Sequence, residues 1–549
     1  MSTAIVWFRR DLRLADNPAL TEAARNHGHV VALYVHAPGE EGEWAPGAAS
    51  RWWLHHSLEA LDASLARHGG RRRLEILRGP SIDGLRAAIE ATGATAVYFN
   101  RLYEPKAIRR DKAVRQALES DGIEVKSFNA ALWVEPWDVA TKQGEPYRMF
   151  TPFWRNVRTR IDGIEVLPEP HLPEPPLWEP PLWEPHLWEP LQRRSRGSGQ
   201  GLREHLSPLK RLPQELGGLQ ELGSPQELGS PQELGSPQEL GGLQEQGGPL
   251  EVADLGLLPE RDWASGFAEW TPGESGAQEL LALFADDAAG HYVEGRDLPA
   301  RHGTSRLSPH LHWGEISPAQ IAAGLRSHAA RQRKAPDIEP YLRQLGWREF
   351  SHHLLYHFPK TPKENFNSVF GAFRWAKPDA HALRRWKQGR TGIPIVDAGM
   401  RELWATGWMH NRVRMLVASL LTKNLRQHWV LGEKWFWDTL VDADLANNAM
   451  GWQWVAGSGA DAAPYFRIFN PVTQSEKFDP EGAYIRRWVP ELAKAPGRLV
   501  HAPWEDEAFL ESSGYPPPIV DLKSSRDSAL MAYQSMRGGR AGAGPAPVA

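Results

Sequence analysis

The chain has 549 residues, too many for one ordinary hydrophobic core, so two or more domains are expected. It contains no cysteine, which excludes disulfides, thiolate zinc sites, iron–sulfur clusters and thiol nucleophiles. The net charge of -4 argues at first against a nucleic-acid partner, but residues 168–260 hold 15 acidic and only 6 basic side chains, so the rest of the chain is mildly basic.

The N-terminal sequence carries no sign of export. Charges in MSTAIVWFRRDLR stand where a signal peptide needs its apolar stretch. Further along the chain, no uninterrupted apolar run of about 18 residues provides a membrane span. We therefore expect a soluble, cytoplasmic protein without a membrane partner, acting as a monomer.

Residues 1–130 alternate short apolar runs with helical patterns. The helical pattern is clearest in Ser50–His68. This alternation predicts an α/β domain with a doubly wound, Rossmann-like parallel sheet. Phe8-Arg9-Arg10-Asp11 follows the first strand in place of a glycine-rich turn, so the dinucleotide fingerprint is missing. The predicted strands are residues 3–8, 30–37, 74–79, 96–101 and 124–128.

Residues 131–275 form an interdomain linker that contains a low-complexity insert at about 168–258. LWEPP-like pentads there give way to QELGSP-type hexads. A period of five or six residues is too short for a solenoid unit, and Pro and Gly in nearly every repeat leave little to bury. We predict a disordered insert, with a partner-binding Trp-Glu-Pro tract as the alternative. The Gly/Ala/Pro-rich tail, 537–549, is also predicted to be disordered.

Residues 276–536 show helical spacing of apolar residues, which predicts an all-α domain. The helical segments expected here are Gln278–Tyr292, Pro318–Arg331, Ile338–His357, Ile395–Thr406, Arg412–Asn424 and Lys434–Leu440.

The segment GTSRLSP, residues 303–309, is predicted to open a helix. Its hydroxyls and N–H groups gather where the helix dipole favours an anion, so it can cradle a pyrophosphate. Simple capping by Ser or Thr explains the same residues. The sequence leaves both interpretations open.

Two later helices place polar side chains beside a large apolar one, an arrangement that suits a pocket for a flat polar ring. Taken singly, each of these residues fits a core or surface position equally well. They are Gln344, Trp347 and Arg348 on one helix, and Asn411 and Met415, beside Arg412 and Arg414, on the other.

The stretch LVDADLANNAMGWQWVAG puts Asp444, Asn448 and Trp452 on one helical stripe, with Asp442 just before it. A carboxylate here can pair with Arg414 or accept a hydrogen bond from a flavin edge, and the tryptophan can pass an electron. A capping carboxylate and a buried tryptophan are the alternative.

Several catalytic motifs are missing from the sequence. The zinc helix His-Glu-x-x-His, the Gly-x-Ser-x-Gly elbow and the P-loop do not occur. Hydrolytic and metal-centred mechanisms are therefore disfavoured, and we expect no metal. The 25 tryptophans are a high count that core packing largely explains.

Several long motifs occur in order along the chain. They are VWFRRDLRLADNPAL near the N-terminus, then GTSRLSPHLHWGEISP, LGWREFSHHLL, GRTGIPIVDAGMREL, GWMHNRVRML, DADLANNAMGWQWVAG and DAAPYFRIFNPVTQSEKFD. Together these motifs resemble the photolyase and cryptochrome family, most closely class I cyclobutane pyrimidine dimer photolyases. The likeness covers nearly everything except the repeats and the tail.

The resemblance implies that the helical domain binds FAD in a folded conformation. Asn448 would lie near N5 of the flavin. The residues implied around the phosphates and ribityl chain are Tyr292, Thr304, Ser305, Leu307 and Ser308, and those implied around the ring are Trp347, Arg348, Asn411, Arg414, Asp442, Asp444 and Asn448.

The family's electron relay from the surface to the flavin maps onto Trp452, Trp429 and Trp375. The assignment of Trp375 is the weakest, because its spacing to Trp386 differs by one residue from the common pattern.

The implied reaction is light-driven repair of cyclobutane pyrimidine dimers in UV-damaged DNA by electron transfer from excited reduced FAD. The lesion must leave the base stack, and Trp347 and Trp454 would offer it apolar faces. Besides these, Gln344, Asn411 and Met415 are implied at the lesion. Arg296, Arg412 and Arg467 would hold phosphates, although ordinary surface ion pairs explain them nearly as well.

One position departs from the dimer-repair pattern, where Glu usually stands in place of Gln344. Gln is common there in (6-4) photolyases, but those enzymes have His at the positions of Asn411 and Met415. An amide can still bond a thymine edge, because it both donates and accepts. Dimer repair is the main prediction, with (6-4) repair as an alternative.

A cryptochrome-type photosensor is the other alternative, although Asn448 resembles the photolyase choice. A second, antenna chromophore is also implied, either methenyltetrahydrofolate or a deazaflavin, with a second flavin as a further alternative. The folate pattern has Glu where this chain has Ala107, which leaves the pigment open.

Overall fold

The structure is a computed structural model that describes residues 2–68, 73–175, 250–332, 336–462 and 466–538. Residues 176–249, most of the predicted insert, lie outside the described residues, as does the tail after 538. Within the described parts, no helix is both long enough and apolar enough to cross a bilayer.

The N-terminal half is built on one five-stranded parallel sheet of order β3-β2-β1-β4-β5. Register pairs such as Thr3 with His29 and Ala4 with Ala96 place β1 at its centre. This order confirms the predicted doubly wound fold. The strands are β1 (Thr3–Phe8), β2 (His29–His36), β3 (Leu74–Arg78), β4 (Ala96–Asn100) and β5 (Glu124–Phe128).

Helices cover both faces of this sheet. Every residue of β1 is therefore buried, whichever face its side chain points to. Ala4, Val6 and Phe8 join the core under α1 and α3, whereas Ile5 and Trp7 join the core under α4 and α5. The helices of this half are α1 (Pro18–Asn26), α2 (Pro38–Glu41), α3 (Ala48–Ala66), α4 (Ser81–Thr92) and α5 (Pro105–Ser120).

The linker is more structured than its composition suggested. Helix α6 (Phe150–Arg158) packs its aromatic side chains against the C-terminal half. At the two ends of the predicted insert, Leu172 and Val252 are buried in the core beneath α1 and α3.

The C-terminal half is helical, as predicted. Its α-helices are α7 (Glu274–Asp286), α8 (Tyr292–Gly295), α9 (Ser308–Trp313), α10 (Pro318–Arg331), α11 (Glu339–His357), α12 (Ala380–Lys387), α13 (Pro394–Thr406), α14 (Asn411–Ser419), α15 (Trp429–Thr439), α16 (Leu445–Ala456), α17 (Pro471–Phe478), α18 (Ala483–Trp488), α19 (Glu507–Ser513) and α20 (Leu522–Gly538).

Some helix boundaries were wrong. The helix expected over Gln278–Tyr292 ends at Asp286, where two aspartates and Gly290 disfavour continuation, and Tyr292 starts a separate turn. The segment Arg412–Asn424 is α-helical only to Ser419 and then widens into a π-helical turn, Leu420–Asn424.

Arg13 joins the two halves. This side chain is 1% exposed, and its guanidinium donates to the carbonyl oxygens of Ala15, Asp16, Ala130 and Gly314. The approach at Gly314 requires glycine, because a Cβ there would lie 2.2 Å from the carbonyl oxygen of Arg10. The helical half is thereby fixed against the loop that follows β1.

Candidate functional site

A group of hydroxyls lies where the chain enters α9. The Tyr341 hydroxyl bonds Ser305 Oγ at 2.8 Å, and the Tyr292 and Tyr341 rings meet edge to face with centroids 5.2 Å apart. Neither Ser nor Thr caps α9, since Leu307 holds the cap position and its N–H donates to Ser305 Oγ. The capping alternative therefore fails for this segment, and the hydroxyls remain suited to an anion.

Beside this group, Arg414 and Asp442 form an ion pair. The guanidinium donates to both carboxylate oxygens, at 3.1 and 2.8 Å, and Ser308 Oγ donates to the same carboxylate at 2.6 Å. Trp408 Nε1 donates to Ser308 Oγ at 3.3 Å. Asp442 is buried whereas Ser308 is exposed, so the carboxylate lines a space that opens outward.

Asp444 occupies the N-cap of α16. Its carboxylate accepts from the Asn447 N–H at 2.8 Å and faces His352 and His312 at 3.4 and 3.7 Å. Burial acts to raise the pKa of Asp444, but the two imidazoles outweigh burial and hold this pKa well below its ordinary value. Asp444 thus caps the helix, as the alternative predicted. Its lowered pKa also favours a negative charge two residues from Asp442.

Asn448 lies one turn further along α16. Its amide donates to the backbone carbonyl of Glu433 at 3.0 Å. The Glu433 side chain is fully buried, both of its oxygens lack hydrogen-bond partners among the described residues, and burial raises its pKa well above the ordinary value. A buried carboxyl without hydrogen-bond partners among the described residues thus lies on α15, the helix whose Glu433 carbonyl Asn448 bonds.

Polar residues next to α14 form a second group, nearer the surface. Arg296 donates to Gln344 Oε1 at 3.3 Å, and Arg412 pairs with Asp297 at 2.8 Å while its guanidinium lies over the Phe478 ring. Arg412 and Arg414 are two residues apart on one helix, yet Arg414 turns to buried Asp442 and Arg412 to Asp297. The helix therefore has one cation at each group.

The other predicted residues of α11 bond to the linker. Trp347 is half-buried and stacks on Phe150 with ring centroids 3.6 Å apart. Arg348 donates to the carbonyl of Ala131 at 2.7 Å, and buried Glu349 accepts from the Trp133 N–H at 3.0 Å. These contacts position the face of α11 that carries Gln344.

Three predicted tryptophans surround the start of α15. The His428 ring lies between Trp375 and Trp429, with centroid distances of 4.9 and 5.6 Å. A Cβ at Gly432, one turn after Trp429, would lie 2.1 Å from Cη2 of Trp452. Trp386 contacts Trp452 instead, at 6.2 Å. Trp375 and Trp429 therefore flank His428 at the start of α15, whereas Trp452 lies against Gly432 and Trp386, and the order of the relay stays a prediction.

The remaining predicted residues lie around these groups. Asn411 is exposed at the start of α14, and Met415 is half-buried on the same helix. Trp454 is half-buried on α16, Thr304 is half-buried and Leu307 is buried. Arg467 is exposed, with its guanidinium over Phe469.

The comparisons with known proteins agree with this geometry. Residues 341–535 match the FAD binding domain of DNA photolyase, and residues 4–176 match DNA photolyase. The chain is 43% identical to a deoxyribodipyrimidine photo-lyase of Agrobacterium fabrum, over 97% of this chain and 98% of that protein. The chain belongs to the photolyase and cryptochrome family.

Relatives from both branches of the family are similar along the whole chain. Cryptochrome-2 of Arabidopsis thaliana is 36% identical over 99% of this chain and 80% of its own length. The crystal structure of a bacterial class III photolyase from Agrobacterium tumefaciens superposes with a TM-score of 0.80 at 41% identity, covering 98% of both chains. The class I label suggested by the motifs is therefore not distinguished from class III.

The described residues fit the FAD that this family binds. The hydroxyls of Ser305, Tyr341 and Ser308 suit phosphate and ribityl oxygens, and the Arg414–Asp442 pair offers both a donor and an acceptor to a polar ring edge. Ser308, exposed yet bonded to a buried carboxylate, indicates that the pair faces a ligand space.

Sequence reasoning missed three residues of this site: Tyr341, His428 and Glu433. Tyr341 is three residues before Gln344 and shares its face of α11, so helix spacing could have found it. His428 and Glu433 gave no sequence signal, because their partners come from other elements.

A separate small cavity lies at the carboxyl ends of β1 and β2, lined in part by Trp7, Arg10, Tyr34 and His36. Its volume is ≈ 50 Å³, far below the roughly 300–1,000 Å³ of typical ligand pockets. The cavity as it stands does not fit a whole antenna pigment, and the identity of that chromophore stays a prediction.

Proposed function

We propose that the protein repairs cyclobutane pyrimidine dimers in DNA in a light-driven reaction. The observation that carries this proposal is the placement of two polar groups on the two sides of α14. One group, with Arg414 and Asp442, suits the flavin, and the other, with Arg296, Gln344 and Arg412, suits damaged DNA.

When bound, reduced FAD supplies a single electron upon excitation by near-UV or blue light, which lets the cyclobutane ring open before the electron returns. The protein's own residues would hold the damaged DNA and orient the lesion. Arg296 and Arg412 would bind phosphates on either side of an extruded dimer, and both are held in position by Asp297.

Gln344 and Trp347 would form the lesion pocket. The Gln344 amide bonds Arg296 through its oxygen and the Pro340 carbonyl through its nitrogen, and both contacts are long at 3.3 and 3.4 Å. Weak contacts of this kind are easily exchanged for bonds to a thymine edge. Trp347 stacks on Phe150 and offers its other face to the dimer.

Trp375, Trp429 and Trp452 would carry electrons inward to reduce the flavin before repair. The His428 ring between the first two, and the contact of Trp452 with α15, support a relay along this helix.

Two alternatives remain within the same fold. A blue-light photosensor is favoured by the 36% identity to a plant cryptochrome over nearly the whole chain. Repair of (6-4) photoproducts is favoured by Gln344 and opposed by Asn411 and Met415, which provide no acid for that chemistry.

The test is repair of a duplex with one defined thymine dimer by the photoreduced protein, in light and in darkness, beside a (6-4) duplex. We expect loss of the dimer in the light only. A matched variant, Gln344→Glu, should keep or raise the repair rate for the dimer. Bound FAD with neither lesion repaired would replace the proposal with the photosensor.

A further inference from the structure

A basic cleft that includes Arg467, one of the predicted phosphate-binding residues, lies between the segment after residue 465 and helix α20. Its volume is ≈ 740 Å³, within the range of ligand-sized pockets, roughly 300–1,000 Å³. Arg467 comes from the first element, and Arg526 and Arg537 come from α20. Three guanidiniums from two elements therefore surround one opening.

These cations are only weakly compensated. Arg526 has a contact with Asp527 at 3.4 Å in which both side chains are more than half exposed. Within the described residues, Arg467 and Arg537 form no ion pair, and their guanidiniums lie over the rings of Phe469 and Tyr533. The cleft therefore attracts an anion more strongly than an ordinary surface with balanced charges.

Aromatic rings form the floor of the cleft. Tyr533 stacks on Phe466 with centroids 4.5 Å apart and planes 9° from parallel. Below them, the buried ammonium of Lys423 lies 3.3 Å from the Phe466 centroid and donates to the Ala456 carbonyl. A rigid aromatic floor with arginines at the rim is the combination that binds a nucleic-acid strand.

Helix α17 connects the cleft to the proposed lesion site. Arg467 lies four residues before its first residue, and Phe478 at its far end contacts Arg412. Helix α17 itself is about 12 Å long, since eight residues rise about 1.5 Å each. The two basic groups therefore lie at opposite ends of one short, rigid element.

We propose that the cleft binds the sugar-phosphate backbone of the damaged strand to one side of the dimer. This inference rests on the proposed function, because it extends the same DNA interface. Arg526 and Arg537 would add affinity without touching the reacting atoms, so they lengthen the footprint and leave the chemistry unchanged.

The experiment measures binding of the full-length, FAD-loaded protein to a dimer-containing duplex in the dark over a series of salt concentrations. For Arg526→Ala/Arg537→Ala we expect roughly tenfold weaker binding, and a salt slope reduced by about 2. Repair of substrate already bound should proceed at the wild-type rate. The matched control, Arg86→Ala/Arg109→Ala, removes two exposed arginines from α4 and α5 and should bind like wild type.

A second arm locates the contact. Methylphosphonate groups that neutralise single phosphates are placed one to eight nucleotides from the dimer on each side. On one side of the dimer, neutralisation of a phosphate should weaken binding by the wild type but add nothing to the double variant, and this position locates the contact. If no position behaves in this way, the cleft proposal is overturned.

The outcomes separate the two proposals. If the wild type does not prefer dimer DNA, the proposed function fails. If it does prefer dimer DNA but the double variant matches the control, the cleft proposal is overturned. If a free nucleoside triphosphate binds the wild type but not the double variant, while both bind DNA equally, the cleft proposal is overturned in favour of a nucleotide site.

Discussion

Arginines in two regions of the molecule have opposite surroundings. At the junction of the two halves, Arg13 is 1% exposed and surrounded by carbonyl oxygens. At the surface next to α14, Arg296 and Arg412 are half-buried and share one carboxylate, that of Asp297. Fully bonded cations hold a fold together, whereas cations with unused donors are available to a ligand. The comparison predicts which arginines hold the fold together and which are available to a ligand.

The largest effect is expected from breaking the junction. Arg13→Met leaves several buried carbonyls without donors, and the free energy of unfolding should fall by about 3–5 kcal/mol. Urea denaturation of the apoprotein measures this loss. Arg25→Met, at an exposed position of α1, is the matched control and should be nearly neutral. Equal effects for the two variants would contradict the structural role of Arg13.

Glu349 is a second buried, fully bonded charged residue, and its contribution to stability can be tested through pH. Burial raises its pKa from 4.5 to about 7. Because the folded state has the higher pKa, the stabilisation is present in full below about pH 4.5 and is lost as pH rises through about 7.

In Glu349→Gln this titration is absent. Relative to wild type, the variant should gain about 3 kcal/mol in unfolding free energy between pH 4.5 and pH 8. Urea titrations at several pH values give the difference directly. A difference that does not change with pH would show that Glu349 titrates normally.

Asp442→Asn tests the other kind of region, where a charged group is available to a ligand. The variant loses the charge that Arg414 and Ser308 bind, and its dissociation constant for FAD should rise roughly 10–100-fold, as for one or two charged hydrogen bonds. Flavin fluorescence during dialysis or titration measures the change. Stability of the apoprotein should change far less than in Arg13→Met, and the reverse order would erase the distinction between the two regions.

Packing at the tryptophan relay should give the smallest change in stability. Gly432→Ala would push against Trp452 and cost about 1–3 kcal/mol. Flavin photoreduction should slow, because Trp452 is displaced from α15. Gly451→Ala on α16, whose added methyl meets nothing within 4 Å, is the control and should leave photoreduction unchanged. Equal photoreduction rates in the two variants would remove Trp452 from the relay.

The sequence predicted the sheet closely because each strand is a short apolar run flanked by polar residues. The strand expected over residues 96–101 is Ala96–Asn100, for example, and β1 has the expected bounds. Helix α6 was missed, because it is short and lies in a linker that was judged by its composition. Local pattern determines such elements only where the pattern is long enough.

The site was predicted less completely, for a physical reason. Hydroxyl and carboxylate residues were found through motifs, but their partners depend on how distant segments pack. Tyr341 reaches Ser305 across 36 positions. A carboxylate partner for Arg414 was expected from the stretch around Asp442, 28 positions away, but only as one of several uses of that carboxylate. No local spacing encodes such pairs, and Asp444 shows that one residue can both cap a helix and line a site.

The positions of Arg412 and Arg414 on one helix have a mechanical consequence. Two residues of α-helix differ by about 3 Å of rise, a spacing fixed by backbone hydrogen bonds. In the proposed enzyme, the same rigid turn of α14 would position both the electron donor, through Arg414, and the DNA phosphate, through Arg412. Thermal motion of the sheet half or of surface loops would then leave the distance between the electron donor and the lesion unchanged. The variation in that distance would depend on one short piece of backbone.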